Sequence, residues 1–117
     1  MFKIEGRKVL FNKSAIYEAP VKIIDSLVYK DDLIILYDPD EDNEEYGLNQ
    51  NAIFAMHNVR RIASTGEEVW KIHGTGSNSG YWKIYIDEDD RYWAAGGDNH
   101  HCFDPETGEV LGLYQLE

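Results

Sequence analysis

Ten carboxylates in two short segments are the side chains of this sequence most able to do chemistry. Asp38 to Glu45 holds six of them in eight residues, and Asp87 to Asp90 holds four in succession. Clustered carboxylates can bind a cation, share a proton in acid catalysis or attract a basic partner. The surrounding residues decide among these uses. The ten are Asp38, Asp40, Glu41, Asp42, Glu44, Glu45, Asp87, Glu88, Asp89 and Asp90.

Calcium is the first use to consider, because Asp38, Asp40 and Asp42 have the alternate spacing with which calcium loops begin. A calcium hand also needs glycine at its sixth position and glutamate at its twelfth. Those positions are Asn43 and Asn49 in this chain. We therefore predict no metal site in this segment.

The sequence His100-His101-Cys102 is the second candidate for metal chemistry. Successive side chains on a strand point to opposite faces, so His100 and His101 cannot easily share one metal ion. Structural zinc sites also need four ligands, and the chain contains no second cysteine. We expect a strand here with no bound zinc.

Catalytic signals are weak elsewhere. No serine lies in a nucleophile elbow, and the carboxylates occupy solvated turns where nothing would raise a pKa for acid catalysis. We predict no catalytic residue, no cofactor and no enzymatic activity. The enzyme alternative is a metal-dependent hydrolase built around His100 and His101.

A short sequence segment, which we call the repeated phrase, occurs twice and determines how these residues are positioned. NVRRIASTGEEVWKI begins at Asn58 and NHHCFDPETGEVLGL begins at Asn99. Each is an extended run, a turn built on Thr-Gly and a second strand, with the glycine supplying the left-handed residue of the turn. Upstream, YKDDLIIL matches DEDDRYWA, and the acidic segment 38–50 is an insertion in the first copy. A repeated hairpin at a fixed place indicates a repeat architecture.

Each copy reads as four strands, rich in Val, Ile, Tyr and Trp. We predict a single all-β domain over residues 1–117. It consists of one blade-like unit at 21–72, another at 81–115 and an N-terminal hairpin at 2–11. The segment 73–80 reads as a linker, and Trp70 and Trp82 are expected in the core. Helical signal is limited to one turn at each of 12–17 and 44–50. The predicted strands are 21–28, 33–37, 52–62, 68–72, 81–86, 92–95, 100–103 and 110–115.

The segment Thr65-Gly66-Glu67-Glu68-Val69-Trp70 resembles the outer hairpin of quinoprotein-type β-propeller repeats. FDPETGE, at 103–109, resembles the same turn in a following blade, with Gly112 in place of the tryptophan. The resemblance implies blade-like four-stranded antiparallel units. It does not imply the quinone cofactor, because two units cannot close a channel, and propellers have about four to eight blades.

Two such units must cover their sheet edges and faces. They can pack face to face as a sandwich, or as a half-propeller, with the N-terminal hairpin closing one side. Two chains joined into a four-bladed ring are another solution. If the repeat is illusory, the chain is an ordinary meandering barrel. The chain is accordingly expected to be a monomer or a homodimer.

Charge restricts the class of partner. The net charge is −11, from 22 acidic and 11 basic residues. Nucleic acid is disfavoured, because binding phosphates requires a basic face. No apolar run is long enough to cross a membrane, no secretory signal is evident, and a single cysteine fits a reducing compartment. We therefore expect no membrane association and a cytoplasmic location.

These observations favour a non-enzymatic, acidic protein-binding module. An immunity or inhibitor protein that neutralises a basic toxin, such as a nuclease, fits best, with surface carboxylates imitating phosphate. The predicted contact residues are the ten carboxylates together with Tyr46, Tyr92 and Trp93, since aromatic side chains are enriched at binding hot spots. The alternative binding function is a carbohydrate- or small-ligand-binding module with Tyr92 and Trp93 as stacking platforms.

Overall fold

A computed structural model describes residues 1–38, 58–72, 81–96 and 99–115. Within these ranges the chain forms eleven β-strands and no helix. The predicted linker 73–80 and all of the acidic insertion after Asp38 lie outside the described residues. The strands are β1 (Phe2–Glu5), β2 (Lys8–Phe11), β3 (Ser14–Glu18), β4 (Ile23–Tyr29), β5 (Asp32–Tyr37), β6 (Val59–Ile62), β7 (Glu68–Lys71), β8 (Lys83–Ile86), β9 (Tyr92–Gly96), β10 (Asn99–Phe103) and β11 (Val110–Gln115).

The strands form three open antiparallel sheets, which we call layers. Layer 1 has the order β1-β2-β3, layer 2 the order β4-β5-β6-β7, and layer 3 the order β11-β10-β9-β8. Layers 2 and 3 are the two blade-like units expected from the repeated phrase, and each is a four-stranded meander. The predicted all-β fold is confirmed, and the open sheets do not form the alternative barrel.

The N-terminal part differs from the prediction, because the hairpin 2–11 gains a third strand. A helical turn over 12–17 is wrong, since Ser14–Glu18 is strand β3. Asn12 and Lys13 both have positive φ, 50° and 73°. Two left-handed residues in succession make a tight hairpin turn whose twist matches that of the strands. The weak helical signal at 44–50 lies outside the described residues.

The apolar side chains form two cores, one at each junction between layers. The core between layers 1 and 2 is built on Val9, Ile23, Leu33, Ile35 and Ile62. The core between layers 2 and 3 contains Ile34, Leu36, Val59, Trp70, Ile72, Tyr81, Ile84, Ala94 and Phe103. Layer 2 is therefore covered on both faces, which explains why β5 is apolar at nearly every position.

Both Thr-Gly turns have the left-handed glycine that the sequence predicts. Gly66 has φ 91° and Gly108 has φ 77°. Each glycine also lies against the last strand of the preceding layer. A Cβ at Gly66 would be 2.1 Å from the carbonyl oxygen of Ile16 in β3, and one at Gly108 would be 2.6 Å from the ring of Trp70 in β7. At both junctions a Thr-Gly turn therefore packs on the last strand of the preceding layer, against backbone at Gly66 and against a side chain at Gly108.

The two tryptophans expected in the core behave differently. Trp70 is buried at 7% exposure, and its indole Nε1 donates to the carbonyl of Pro105 at 2.8 Å. Trp82 is 46% exposed, so placing it in the core is wrong. It precedes β8, whose strand alternation begins only at Lys83.

Polar side chains also join layers 2 and 3. The buried amide Nδ2 of Asn58 donates to the carbonyls of Tyr37 and Tyr81, at 2.9 and 2.8 Å. Its Oδ1 accepts from the backbone N–H of Tyr81 at 3.1 Å. One side chain thus satisfies three buried backbone groups where the chain enters layer 3.

Candidate functional site

The turn of residues 87–91, which connects β8 to β9, is the acidic cluster that the structure describes in full. The carboxylate of Asp87 organises it. Its Oδ1 accepts from the backbone N–H groups of Asp89 and Arg91, each at 2.9 Å. Its Oδ2 accepts from the guanidinium of Arg91 at 3.0 Å and from the indole of Trp93 at 2.7 Å. Four donors therefore hold one carboxylate.

These contacts favour the charged form of Asp87. Desolvation raises its pKa, but the hydrogen bonds from Arg91, Trp93 and Asp89 outweigh it and lower the pKa to about 2. Hydrogen bonds to a carboxylate have this effect because they are lost on protonation. Near neutral pH the carboxylate of Asp87 is therefore ionised and accepts hydrogen bonds from Asp89, Arg91 and Trp93.

The lowered pKa predicts how stability depends on pH. Since the folded-state value of about 2 lies below the ordinary 3.8, Asp87 contributes stability above about pH 4 and loses it as the pH falls towards 2. We expect Asp87→Asn to reduce the dependence of the unfolding free energy on pH in this window. Urea titrations at pH 4, 3 and 2 measure it. Asp31→Asn, at an exposed position in layer 2, is the control, and equal pH dependence in both variants would contradict this role of Asp87.

The other acidic residues of the turn face solvent. Glu88, Asp89 and Asp90 are exposed. Asp89 pairs with Arg91 at 3.1 Å, an ion pair whose two side chains are both largely accessible. Asp90 has φ 61°, a left-handed conformation that aspartate tolerates. The fixed carboxylate of Asp87 therefore supports a turn that presents three carboxylates outward.

The aromatic residues predicted beside this turn are packed into the sheet. Trp93 is 7% exposed and stacks on Tyr85, with ring centroids 6.3 Å apart and an interplanar angle of 9°. Tyr92 is half-buried and meets the rings of Tyr29 and Phe103 edge to face, at 5.5 and 6.1 Å. Neither ring presents a wide open face, and Trp93 acts on the turn through its bond to Asp87.

The first acidic cluster is described only at Asp38. This residue is half-buried after the end of β5, and its backbone N–H donates to the carbonyl of Lys22 at 2.8 Å. The 87–91 turn precedes β9, the strand that corresponds to β5, so Asp38 and this turn lie at opposite ends of corresponding strands. The remaining predicted members lie outside the described residues: Asp40, Glu41, Asp42, Glu44, Glu45 and Tyr46.

The two histidines point to opposite faces of β10, as predicted. Nδ1 of the buried His101 lies 2.7 Å from the hydroxyl of Tyr81, and burial lowers the pKa of His101. Nδ1 of the half-buried His100 hydrogen-bonds the hydroxyl of Tyr85. Each imidazole therefore has a tyrosine partner. Among the described residues, no three His, Cys, Asp or Glu side chains are grouped closely enough to hold a metal ion.

Sequence reasoning missed an ionic network around Glu106 at the junction of layers 2 and 3. The carboxylate of Glu106 accepts from the ammonium of Lys30, from the hydroxyl of Tyr29 at 2.7 Å and from Arg61 at 3.3 Å. Led by the bond from Lys30, these contacts lower the pKa of Glu106 to about 2. Arg61 also donates to Asp32 at 2.7 Å. The one sequence signal was Arg61 itself, a charged residue within the strand that precedes the Thr65-Gly66 turn.

Comparison with known proteins assigns no family to the chain. No model of a known protein family matches the chain, and neither a curated protein nor a solved structure matches it. In the part of the chain that the structure describes, no helix is long and apolar enough to span a membrane.

Proposed function

We propose that this chain is a non-enzymatic protein-binding module that uses the 87–91 turn to bind a basic protein. The observation that carries the proposal is the four-donor arrangement on Asp87. It fixes the turn before any partner arrives, and it leaves Glu88, Asp89 and Asp90 in solvent. A pre-organised surface loses less conformational entropy on binding than a flexible one does.

The net charge of −11 supports the same proposal. An acidic protein attracts a cationic partner over a distance and accelerates their association. Fixed carboxylates can also occupy a cationic site that normally holds phosphate. We therefore propose an inhibitor or immunity protein for a basic toxin, such as a nuclease, that acts in the cytoplasm. We also propose that layers 2 and 3 descend from a quinoprotein-type propeller repeat.

The geometry favours this function over the two alternatives. A carbohydrate-binding module would use open ring faces of Tyr92 and Trp93, but both rings pack against neighbouring aromatic rings. A hydrolase would use His100 and His101, but these face opposite sides of β10 and each binds a tyrosine hydroxyl.

Charge reversal on the turn tests the proposal. Against a basic nuclease domain that binds the wild-type protein, we expect Glu88→Lys/Asp89→Lys to weaken binding by about 10-fold or more, mostly through slower association. The control Asp31→Lys/Glu67→Lys makes the same change in net charge at exposed positions in layer 2. Surface plasmon resonance at two salt concentrations gives both rates. Equal losses in both variants would show that only net charge matters and would contradict a role for the turn.

A further inference from the structure

Layer 1 has one strand fewer than layers 2 and 3. A Thr-Gly turn of layer 2 packs on β3, the last strand of layer 1, and a Thr-Gly turn of layer 3 packs on β7, the last strand of layer 2. This repeated junction makes β3 the counterpart of β7. Because both layers are antiparallel meanders, β2 then corresponds to β6 and β1 to β5. Among the described residues, no strand of layer 1 corresponds to β4.

Polar contacts between the layers support the same correspondence. The side chain of Arg7, just before β2, donates to the carbonyl of Ala19 at 3.1 Å, where the chain passes into layer 2. The side chain of Asn58, just before β6, donates to the carbonyl of Tyr81 at 2.8 Å, where the chain passes into layer 3. The two residues therefore occupy equivalent places, and the missing strand of layer 1 is its first.

The backbone of β1 consequently has a free edge. The N–H of Asn12 donates to the carbonyl of Met1 at 3.1 Å, so these two residues form a hydrogen-bonded pair. Such pairs alternate along an antiparallel ladder, which makes Lys3 the next residue bonded to β2. The N–H and C=O groups of Phe2 and Ile4 therefore point away from β2. Within the described ranges, these four groups have no hydrogen-bond partner.

An apolar side chain of β4 is exposed on the side that faces layer 1. Val28 pairs with Leu33, which is buried in the core between layers 1 and 2, so Val28 points towards layer 1. Val28 is nevertheless 64% exposed, whereas Leu33 is 3% exposed. On the other side of β4, Leu27 packs against the core between layers 2 and 3. Layer 1 therefore leaves β4 open where its own first strand is missing.

The direction and side chains of a strand that could fill this place follow from the other layers. In layers 2 and 3 the first strand is antiparallel to the second, so the added strand would run antiparallel to β1. Its inward side chains would meet Phe2, Ile4 and Val28, which favours apolar residues. The place beside β1 is therefore suited to one extended segment with alternating apolar side chains.

Charge selects the outward side chain of such a segment. Lys3 points away from the core and is 71% exposed, and its neighbour across β2 is the apolar Leu10. The ion pair of Lys3 with Glu5, at 3.5 Å, joins two exposed side chains of the same strand. An acidic residue directly opposite Lys3 on an added strand would form a favourable cross-strand pair.

A second copy of this chain does not fit the place through its own β1. Paired strands keep their inward side chains on one side of a sheet, so joining two β1 edges would put layer 2 of both copies on the same side. Each layer 2 extends beyond β1 by the width of β4, and the two layers would then occupy the same space. A single strand meets no such obstacle.

We propose that the free edge of β1 binds an extended segment of a partner protein by β-strand addition, which completes layer 1 as a four-stranded sheet. Backbone hydrogen bonds to Phe2 and Ile4 provide affinity, as in other complexes of this kind. Apolar side chains against Val28 and an acidic side chain opposite Lys3 provide selectivity. This site is separate from the 87–91 turn and does not depend on the binding of a basic protein.

Amide hydrogen exchange measured by NMR tests the backbone part of the proposal. The probe is a capped peptide of about six residues, the length of a typical strand, that alternates valine with threonine and carries one central glutamate. We expect the amide protons of Phe2 and Ile4 to exchange freely in the protein alone and to be protected in excess peptide. The Lys3 amide, already bonded to β2, should change less. An Ile4 amide that is protected without peptide, or that stays unprotected with it, would overturn the proposal.

Charge substitution at the exposed valine tests the apolar part. Val28→Glu should weaken peptide binding by about 10-fold or more, because it places a carboxylate against the inward side chains of the peptide. Val69→Glu is the matched control, since Val69 is 44% exposed in β7 and the change in charge is the same. Fluorescence anisotropy of a labelled peptide measures both. Equal affinities of the two variants would contradict binding over β4.

A charge exchange tests the register at Lys3. Replacing the glutamate of the peptide by lysine should weaken binding to wild type by about 2- to 5-fold, and Lys3→Glu should reverse this preference. The same order of affinities in both proteins would contradict the pairing. Sedimentation equilibrium checks for the other occupant. Self-association of wild type that Val28→Glu abolishes would show that a second copy fills the place, and would overturn the assignment to a partner segment.

Discussion

Gly66→Ala is expected to destabilise the protein by about 2–5 kcal/mol. Its φ of 91° is unfavourable for alanine, and the new Cβ would lie 2.1 Å from the carbonyl oxygen of Ile16. That oxygen belongs to the backbone of β3, so no side-chain rotation relieves the clash. Layers 1 and 2 must therefore separate locally or the turn must change conformation. Urea unfolding followed by tryptophan fluorescence measures the loss.

Three other glycines separate the two causes of this effect. Gly108→Ala should cost about 2–4 kcal/mol, because it combines positive φ with a contact 2.6 Å from the Trp70 ring. Gly6→Ala has positive φ but open space and should cost about 1–2 kcal/mol. Gly112→Ala has neither problem and should be neutral or slightly stabilising. Equal effects at Gly6, Gly66 and Gly108 would contradict close packing of the turns.

Asn58→Ala should cost about 2–4 kcal/mol, because it leaves buried backbone groups without their hydrogen-bond partner. The amide of Asn58 is fully buried and bonds the carbonyls of Tyr37 and Tyr81 and the N–H of Tyr81. Asn58→Asp should cost at least as much, since a carboxylate cannot donate to the two carbonyls. Chemical denaturation of both variants measures the effect.

Tyr17→Phe provides the control for Asn58. It removes another hydrogen bond between layers, from the Tyr17 hydroxyl to Glu68 at 3.3 Å, but at an exposed site. A loss of less than about 1 kcal/mol is expected there, because water replaces the missing partner. A loss at Asn58 as small as that at Tyr17 would show that the buried amide does not hold layers 2 and 3 together.

The repeated phrase was sufficient to predict layers 2 and 3. Its two Thr-Gly turns required glycines with a left-handed conformation, and both Gly66 and Gly108 adopt that conformation. The apolar runs then pair in chain order as a four-stranded meander in each layer, and in layer 2 the insertion lies in the connection between β5 and β6. The match succeeded because turn geometry and strand patterning are local properties that the sequence displays directly.

Layer 1 was only partly predicted, because its second turn has no glycine. Asn12 and Lys13 both adopt positive φ, which is uncommon for lysine, so the hairpin to β3 carried no recognisable signal. The exposure of Trp82 was missed for a different reason. Its placement depends on where β8 begins, and strand ends are poorly determined by alternation alone.

The acidic site was also predicted only in part from the sequence. The sequence located Asp87 to Asp90 and Trp93 in one segment, but it could not show that Asp87 is held by Arg91 and Trp93. That arrangement depends on the path of a five-residue turn over the sheet face. The Glu106 network was even less accessible, since Lys30 lies 76 residues away in the sequence.

The nuclear Overhauser spectrum of the Trp70 ring tests the stacked layers most directly. The account predicts strong contacts from the ring protons of Trp70 to the α protons of Gly108, together with contacts from Gly66 to Ile16. The Gly108 α protons should also show ring-current shifts. A Trp70 ring with no contact to residues 104–108, and with its indole proton exchanging freely with water, would contradict the repeated junction.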